Sequence, residues 1–74
     1  MEIINDTFLY IKRGYAVGYV LIKINDIICI EDEDEYEDNK LSKIYYNCLD
    51  QIQFYTVKHS VKEIKDFLQN YIKK

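Results

Sequence analysis

Seventy-four residues, 49% hydrophobic and 31% charged, make a single domain spanning 1–74, because two separate cores would each be too small to fold. The absence of proline, two glycines, 8 Tyr and 3 Phe exclude collagen-like, linker-like and globally disordered chains. A net charge of -3 conceals an asymmetry: most of the 13 acidic residues fall within 31–38, and the remainder of the chain is net basic.

The chain opens with Thr7-Phe8-Leu9-Tyr10-Ile11-Lys12, a short β-branched and aromatic run expected to be a strand. It ends at Arg13-Gly14, where glycine would supply the positive φ of a hairpin turn. The returning strand, Tyr15 to Lys23, is apolar on both alternating faces and so is expected to be covered on both, with Gly18 marking a bulge or a close backbone approach. Asn25-Asp26 reads as a turn and Ile27-Ile28-Cys29-Ile30 as a third strand. The block Glu31-Asp32-Glu33-Asp34-Glu35-Tyr36-Glu37-Asp38 holds seven carboxylates and no base, which should repel one another into a solvated loop over 31–40. A fourth strand, Leu41 to Cys48, turns through Leu49-Asp50-Gln51 into a fifth, Ile52 to Val57. Ser60 followed by Glu63 forms a capping box, and Val61, Ile64, Phe67, Leu68, Tyr71 and Ile72 recur on one face of a helix expected over 60–73.

The fold class expected is therefore α+β: a small antiparallel sheet of four to five strands with one C-terminal amphipathic helix on one face, β-β-β-β-β-α. Ile28, Ile30, Ile44, Phe54 and Val57 are the expected sheet partners of the helix. A single helix covers one face of a sheet, so Tyr10, Tyr15, Tyr19, Tyr45 and Tyr55 are candidates for an aromatic interface on the other, apolar in body and wet at the tip. The competing reading is that these rings pack around the rim of a tiny core.

No apolar run approaches the roughly 18 residues of a membrane helix, and the start Met1-Glu2-Ile3-Ile4-Asn5-Asp6 lacks the basic segment of a signal peptide, so a cytoplasmic location is expected. Cys29 and Cys48 sit in apolar strand-like runs and are expected as reduced thiols packed as small hydrophobes. The dominance of Ile, Lys, Asn and Tyr over a single Arg fits AT-rich codons, as in a low-GC bacterium or one of its phages.

From Ile24 onward, the order Ile24-Asn25-Asp26-Ile27-Ile28-Cys29-Ile30-Glu31, a polar insertion, Ile44-Tyr45-Tyr46, a turn, and Phe54-Tyr55-Thr56-Val57-Lys58-His59-Ser60-Val61-Lys62-Glu63-Ile64 resembles the small bacterial FlbD-like proteins. More loosely, it is similar to the β-rich half of LytTR DNA-binding domains. The resemblance implies a regulatory module acting in transcription or motility. Its motifs are those of fold rather than of chemistry, and here the insertion is more acidic and His59 stands where Glu is usual.

The chain offers little for catalysis. His59 is the single histidine, at the expected helix entrance, without a nucleophile motif or phosphate loop to give it a role. Two separated cysteines and one histidine do not make a zinc site, and the acidic block lacks the glycine of an EF-hand loop. No enzyme activity, cofactor or metal is expected.

Recognition of a basic surface fits better. Glu31, Asp32, Glu33, Asp34, Glu35, Tyr36, Glu37 and Asp38 present spaced negative charge and a ring, which is what a nucleic-acid-binding groove meets in phosphates and bases. Those eight residues are the candidate partner-binding set. The expected role is a non-catalytic inhibitor of phage or mobile-element type, similar in size and acidity to anti-CRISPR and other anti-defence proteins, acting as a nucleic-acid mimic. Direct binding of nucleic acid is disfavoured by a pI near 5.0 and a single Arg. A homodimer through the sheet is the remaining expectation, because a domain this small buries only about 60% of its unfolded surface.

Overall fold

The computed structural model describes residues 1–33 and 40–72. The chain runs β1 (Glu2–Ile4), β2 (Phe8–Lys12), β3 (Tyr19–Lys23), a 3-10 turn (Ile24–Asp26), β4 (Ile27–Asp32), β5 (Ser42–Cys48), β6 (Gln51–Val57) and α1 (Val61–Ile72). The class is α+β, antiparallel throughout, with a C-terminal helix.

The expected single sheet is replaced by two three-stranded sheets, ordered β1-β2-β3 and β4-β5-β6. The 3-10 turn redirects the chain after Lys23, so β4 pairs with β5 instead of extending from β3. The sheets are joined where β2 outruns β1: Arg13 bridges to Val57, the Gly14 N–H donates to the Thr56 carbonyl at 2.9 Å, and the Lys58 N–H donates to the Lys12 carbonyl at 3.0 Å. Two facing sheets solve a problem that one sheet and one helix leave open, since each buries its apolar face against the other. Leu9, Ile11 and Ile22 from the first sheet meet Ile44 and Val57 from the second, and Ile64 of the helix completes the same core. Phe67 and Leu68 pack against that cluster, so α1 closes the core shared by both sheets and does not lie on one face of a single sheet.

This arrangement exchanges the roles expected of the two glycines. Gly14 lacks the positive φ expected of it and is instead a close-approach position: a Cβ there would lie 2.9 Å from a Leu41 methyl and 3.0 Å from that of Thr56. Gly18, expected inside a strand, has φ +107° and precedes β3; its carbonyl accepts from the Arg13 N–H at 3.0 Å. The strand expected from Tyr15 therefore begins at Tyr19, because the end of β2 is committed to β6.

Both tight turns use left-handed backbone, at Asn5 and Asp6 (φ 52° and 55°) and at Leu49 and Asp50 (φ 52° and 63°). The capping box forms as expected: the Glu63 N–H donates to Ser60 Oγ and the Ser60 N–H donates to Glu63 Oε1, each at 3.2 Å. At the other end of the helix the Tyr71 hydroxyl donates to Asp6 Oδ1 at 2.6 Å, tying α1 to the β1–β2 turn.

Candidate functional site

The register of the second sheet decides which residues face outward. Cys29, Tyr45 and Phe54 form one row across β4, β5 and β6, and Glu31, Lys43 and Thr56 form another on the same side, while Ile30, Ile44 and Tyr55 form the inward row between them. Phe54 is thus 51% exposed instead of a partner of the helix. Ile28 is 52% exposed, because the irregularity between Ile27 and Cys29 breaks the alternation of β4. Ile52 lies on the outward side too, 68% exposed, and Cys29 is exposed rather than packed inside. The result is an apolar and aromatic face with a polar margin.

That margin is organised by two contacts. The Tyr45 hydroxyl donates to Glu31 Oε1 at 2.7 Å, and this bond to a carboxylate, which favours the neutral phenol, raises the Tyr45 pKa above its ordinary value. Lys43 Nζ sits 5.1 Å from the centre of the Phe54 ring, and the Tyr45 and Phe54 rings are 5.6 Å apart and tilted by 44°.

The tyrosines expected to form one interface lie in different places. Tyr10 and Tyr19 stack at 4.7 Å on the outer side of the first sheet. Tyr45 belongs to the outer side of the second. Tyr55 turns inward and stacks on Tyr46 at 5.3 Å, because an offset of one residue in β6 exchanges faces. Burial and the neighbouring Tyr55 hydroxyl push the Tyr46 pKa up to about 12. Tyr15 lies in the connection between β2 and β3, 70% exposed, beside a shallow hollow that it shares with Arg13 and Phe54.

The acidic block begins at the end of β4. Asp34, Glu35, Tyr36, Glu37 and Asp38 lie outside the described residues. Of the other three, Glu31 binds Tyr45, while the Glu33 N–H donates to the Leu41 carbonyl at 3.0 Å. Asp32 has a structural task that its sequence neighbourhood did not reveal: its Oδ1 accepts the Val61 N–H at 2.9 Å, adding a long-range cap to the first turn of α1. His59 Nδ1 lies 3.3 Å from Glu63 Oε2 at the helix entrance. The Glu63 carboxyl is held below its ordinary pKa, chiefly by the Ser60 N–H and then by His59, with burial opposing both.

Phe54, Ile52 and Ile28 were missed as surface residues. The signal that could have placed Phe54 and Ile52 is the two-residue turn at Leu49-Asp50, which opposes Cys48 to Gln51 and fixes the parity of β6 from there. Among the described residues no three His, Cys, Asp or Glu side chains converge as a metal site, and no helix is long and apolar enough to cross a membrane. Comparison with protein-family models, with curated proteins and with solved structures finds no match to this chain.

Proposed function

We propose that this protein is a non-catalytic, cytoplasmic binding module of the phage- or mobile-element inhibitor type, which docks on a basic nucleic-acid-handling protein through the outer side of its second sheet and the acidic block that follows β4 in the sequence. The observation that carries the reading is the path of β4, which contributes Cys29 and Glu31 to the uncovered aromatic face and then leads into the carboxylate run. Apolar rings supply area that is desolvated on contact, and the carboxylates supply attraction that speeds encounter at low salt and fades as screening grows.

Because Asp32 caps the helix, the informative variant leaves it in place and replaces Asp34, Glu35, Glu37 and Asp38 together with Ser. The unmodified chain should recover a basic nucleic-acid-handling protein from a host lysate at low salt and lose it at high salt, and the variant should not recover it at either. Undiminished recovery by the variant overturns the role of the block. Retention of DNA or RNA by the purified chain replaces the reading with a direct regulator, as the FlbD-like and LytTR-like resemblance implies.

A further inference from the structure

We infer that the outer edge of β6 is a self-pairing edge, on which a second copy of this chain adds its own β6 antiparallel about a two-fold axis beside Gln53. The two-residue turn makes Cys48 and Gln51 a hydrogen-bonded pair, so Gln51, Gln53, Tyr55 and Val57 point their backbone groups at β5, and Ile52, Phe54, Thr56 and Lys58 point theirs away. The contacts with β2 agree, since the outward groups used there are the Thr56 carbonyl and the Lys58 N–H. Among the described residues, the N–H and C=O groups of Ile52 and Phe54 have no backbone partner.

Three features choose a second copy as the occupant. First, β6 is the only strand among the described residues without a charged side chain, so it lacks the usual protection of an edge and brings no like-charge repulsion to self-pairing. Second, the edge is self-complementary. With the axis beside Gln53, Ile52 of each copy faces Phe54 of the other, a β-branched and aromatic pair covering two exposed side chains. Third, β2 occupies the edge from Thr56 onward and stops the incoming strand. The Leu49-Asp50 turn of the second copy then arrives at a hollow of about 270 Å³ lined by Arg13, Tyr15, Ala16, Phe54, Tyr55 and Thr56. Leu49 is 93% exposed at φ 52°, a conformation that disfavours leucine, and the hollow gives it cover. Asp50 of the same turn comes to Arg13.

Pairing makes one six-stranded sheet with β4 at both outer edges, about 24 Å apart across the strands at ordinary strand spacing, and the two-fold axis puts the roots of the two acidic blocks at opposite ends of that sheet. The inference goes beyond the proposed function, and the substitutions that test it leave the acidic block intact. Sedimentation equilibrium of the full chain over a concentration series should show the 9.0 kDa chain associating to a dimer. Ile52→Lys should raise the dissociation constant about tenfold or more, and Leu49→Asn should raise it while leaving the monomer folded. Amide exchange of the unmodified chain should show Ile52 and Phe54 slowing as concentration rises, which reads the edge without any substitution. A monomer at every concentration overturns the inference. So does a dimer whose constant Ile52→Lys leaves unchanged, or one in which those two amides stay fast.

Discussion

Along β3 the outward residues are Tyr19, Leu21 and Lys23; along β6 they are Ile52, Phe54 and Thr56. Each strand is the last of its sheet, and each exposes more than half of two large apolar side chains. The difference is charge. β3 carries Lys23 within the strand, whose ammonium would have to be desolvated by anything pairing there, whereas β6 is uncharged from Gln51 to Val57 and its neighbouring lysine, Lys43 of β5, lies over the Phe54 ring. The first edge is defended and the second is open, although the hydrophobic content of the two strands is similar. What separates the two edges is a charge within the strand itself.

The most forceful way to break the comparison lies within the second sheet itself. Ile44 and Phe54 belong to neighbouring strands but to opposite sides, one fully buried and one half exposed. Ile44→Ala should cost about 3 kcal/mol in urea unfolding, through lost burial and the cavity left among Leu9, Val57 and Ile64. Phe54→Ala should cost about 1 kcal/mol or less at concentrations where the chain is monomeric. Equal costs would mean that the outer side is covered within the monomer.

A second, smaller contrast divides the acidic block. Asp32→Ala removes the acceptor of the Val61 N–H and should destabilise by about 1 kcal/mol. Glu31→Ala frees an exposed tyrosine hydroxyl that water can satisfy, and its effect on unfolding should be near zero. Thermal or urea unfolding of the two variants separates a structural carboxylate from one available to a partner.

How legible these roles are in sequence depends on how local they are. The Ser60–Glu63 box declares the helix because donor and acceptor are three residues apart. The turns at Asn5-Asp6 and Leu49-Asp50 run against that rule: the second was expected although leucine disfavours left-handed backbone, and the first, with β1 before it, was not expected although Asn and Asp tolerate it. Asp32 and Val61 are 29 residues apart, so the cap was hidden inside a charge run that reads as solvation. The joining of the two sheets was equally non-local, since it rests on the meeting of Arg13 with Val57. Phe54 and Val57 were expected on the same side, but residues three apart in a strand face opposite sides; with Val57 buried, Tyr55 turns inward with it and Phe54 outward, so Tyr55 leaves the expected aromatic interface.

The contrast between the turns can be tested in the direction of added stability. Leu49→Asn together with Asp50→Gly supplies residues that accept φ above zero and should stabilise the monomer by about 1 kcal/mol. Asn5→Gly, at a turn whose residues already suit it, should change little. A Leu49 variant that loses stability would show that the leucine side chain is held within the monomer, and the open-edge account would lose its terminal contact.

The finest contrast is between Tyr45 and Tyr46, adjacent residues on opposite sides of β5. Both phenols are raised, but Tyr45 chiefly by its bond to the Glu31 carboxylate and Tyr46 chiefly by burial. Glu31→Gln should therefore return Tyr45 toward its ordinary value while leaving Tyr46 near 12, as read by ultraviolet titration of phenolate. For Tyr46 the folded state holds the proton more tightly than the unfolded chain, so its contribution is complete below the ordinary tyrosine pKa near 10 and is lost as pH rises from there toward about 12. Glu63 runs the other way: its lowered pKa gives stability above the ordinary carboxylate value that disappears as pH falls through the depressed one, and its 39% exposure keeps that contribution small. Tyr46→Phe should therefore flatten the alkaline limb of unfolding and leave the acid limb alone, and Glu63→Gln should do the reverse. Should Glu31→Gln move both tyrosines, the two sides of β5 are electrostatically one environment, and the division between a dry inner side and a wet outer one fails at the sheet where it matters most.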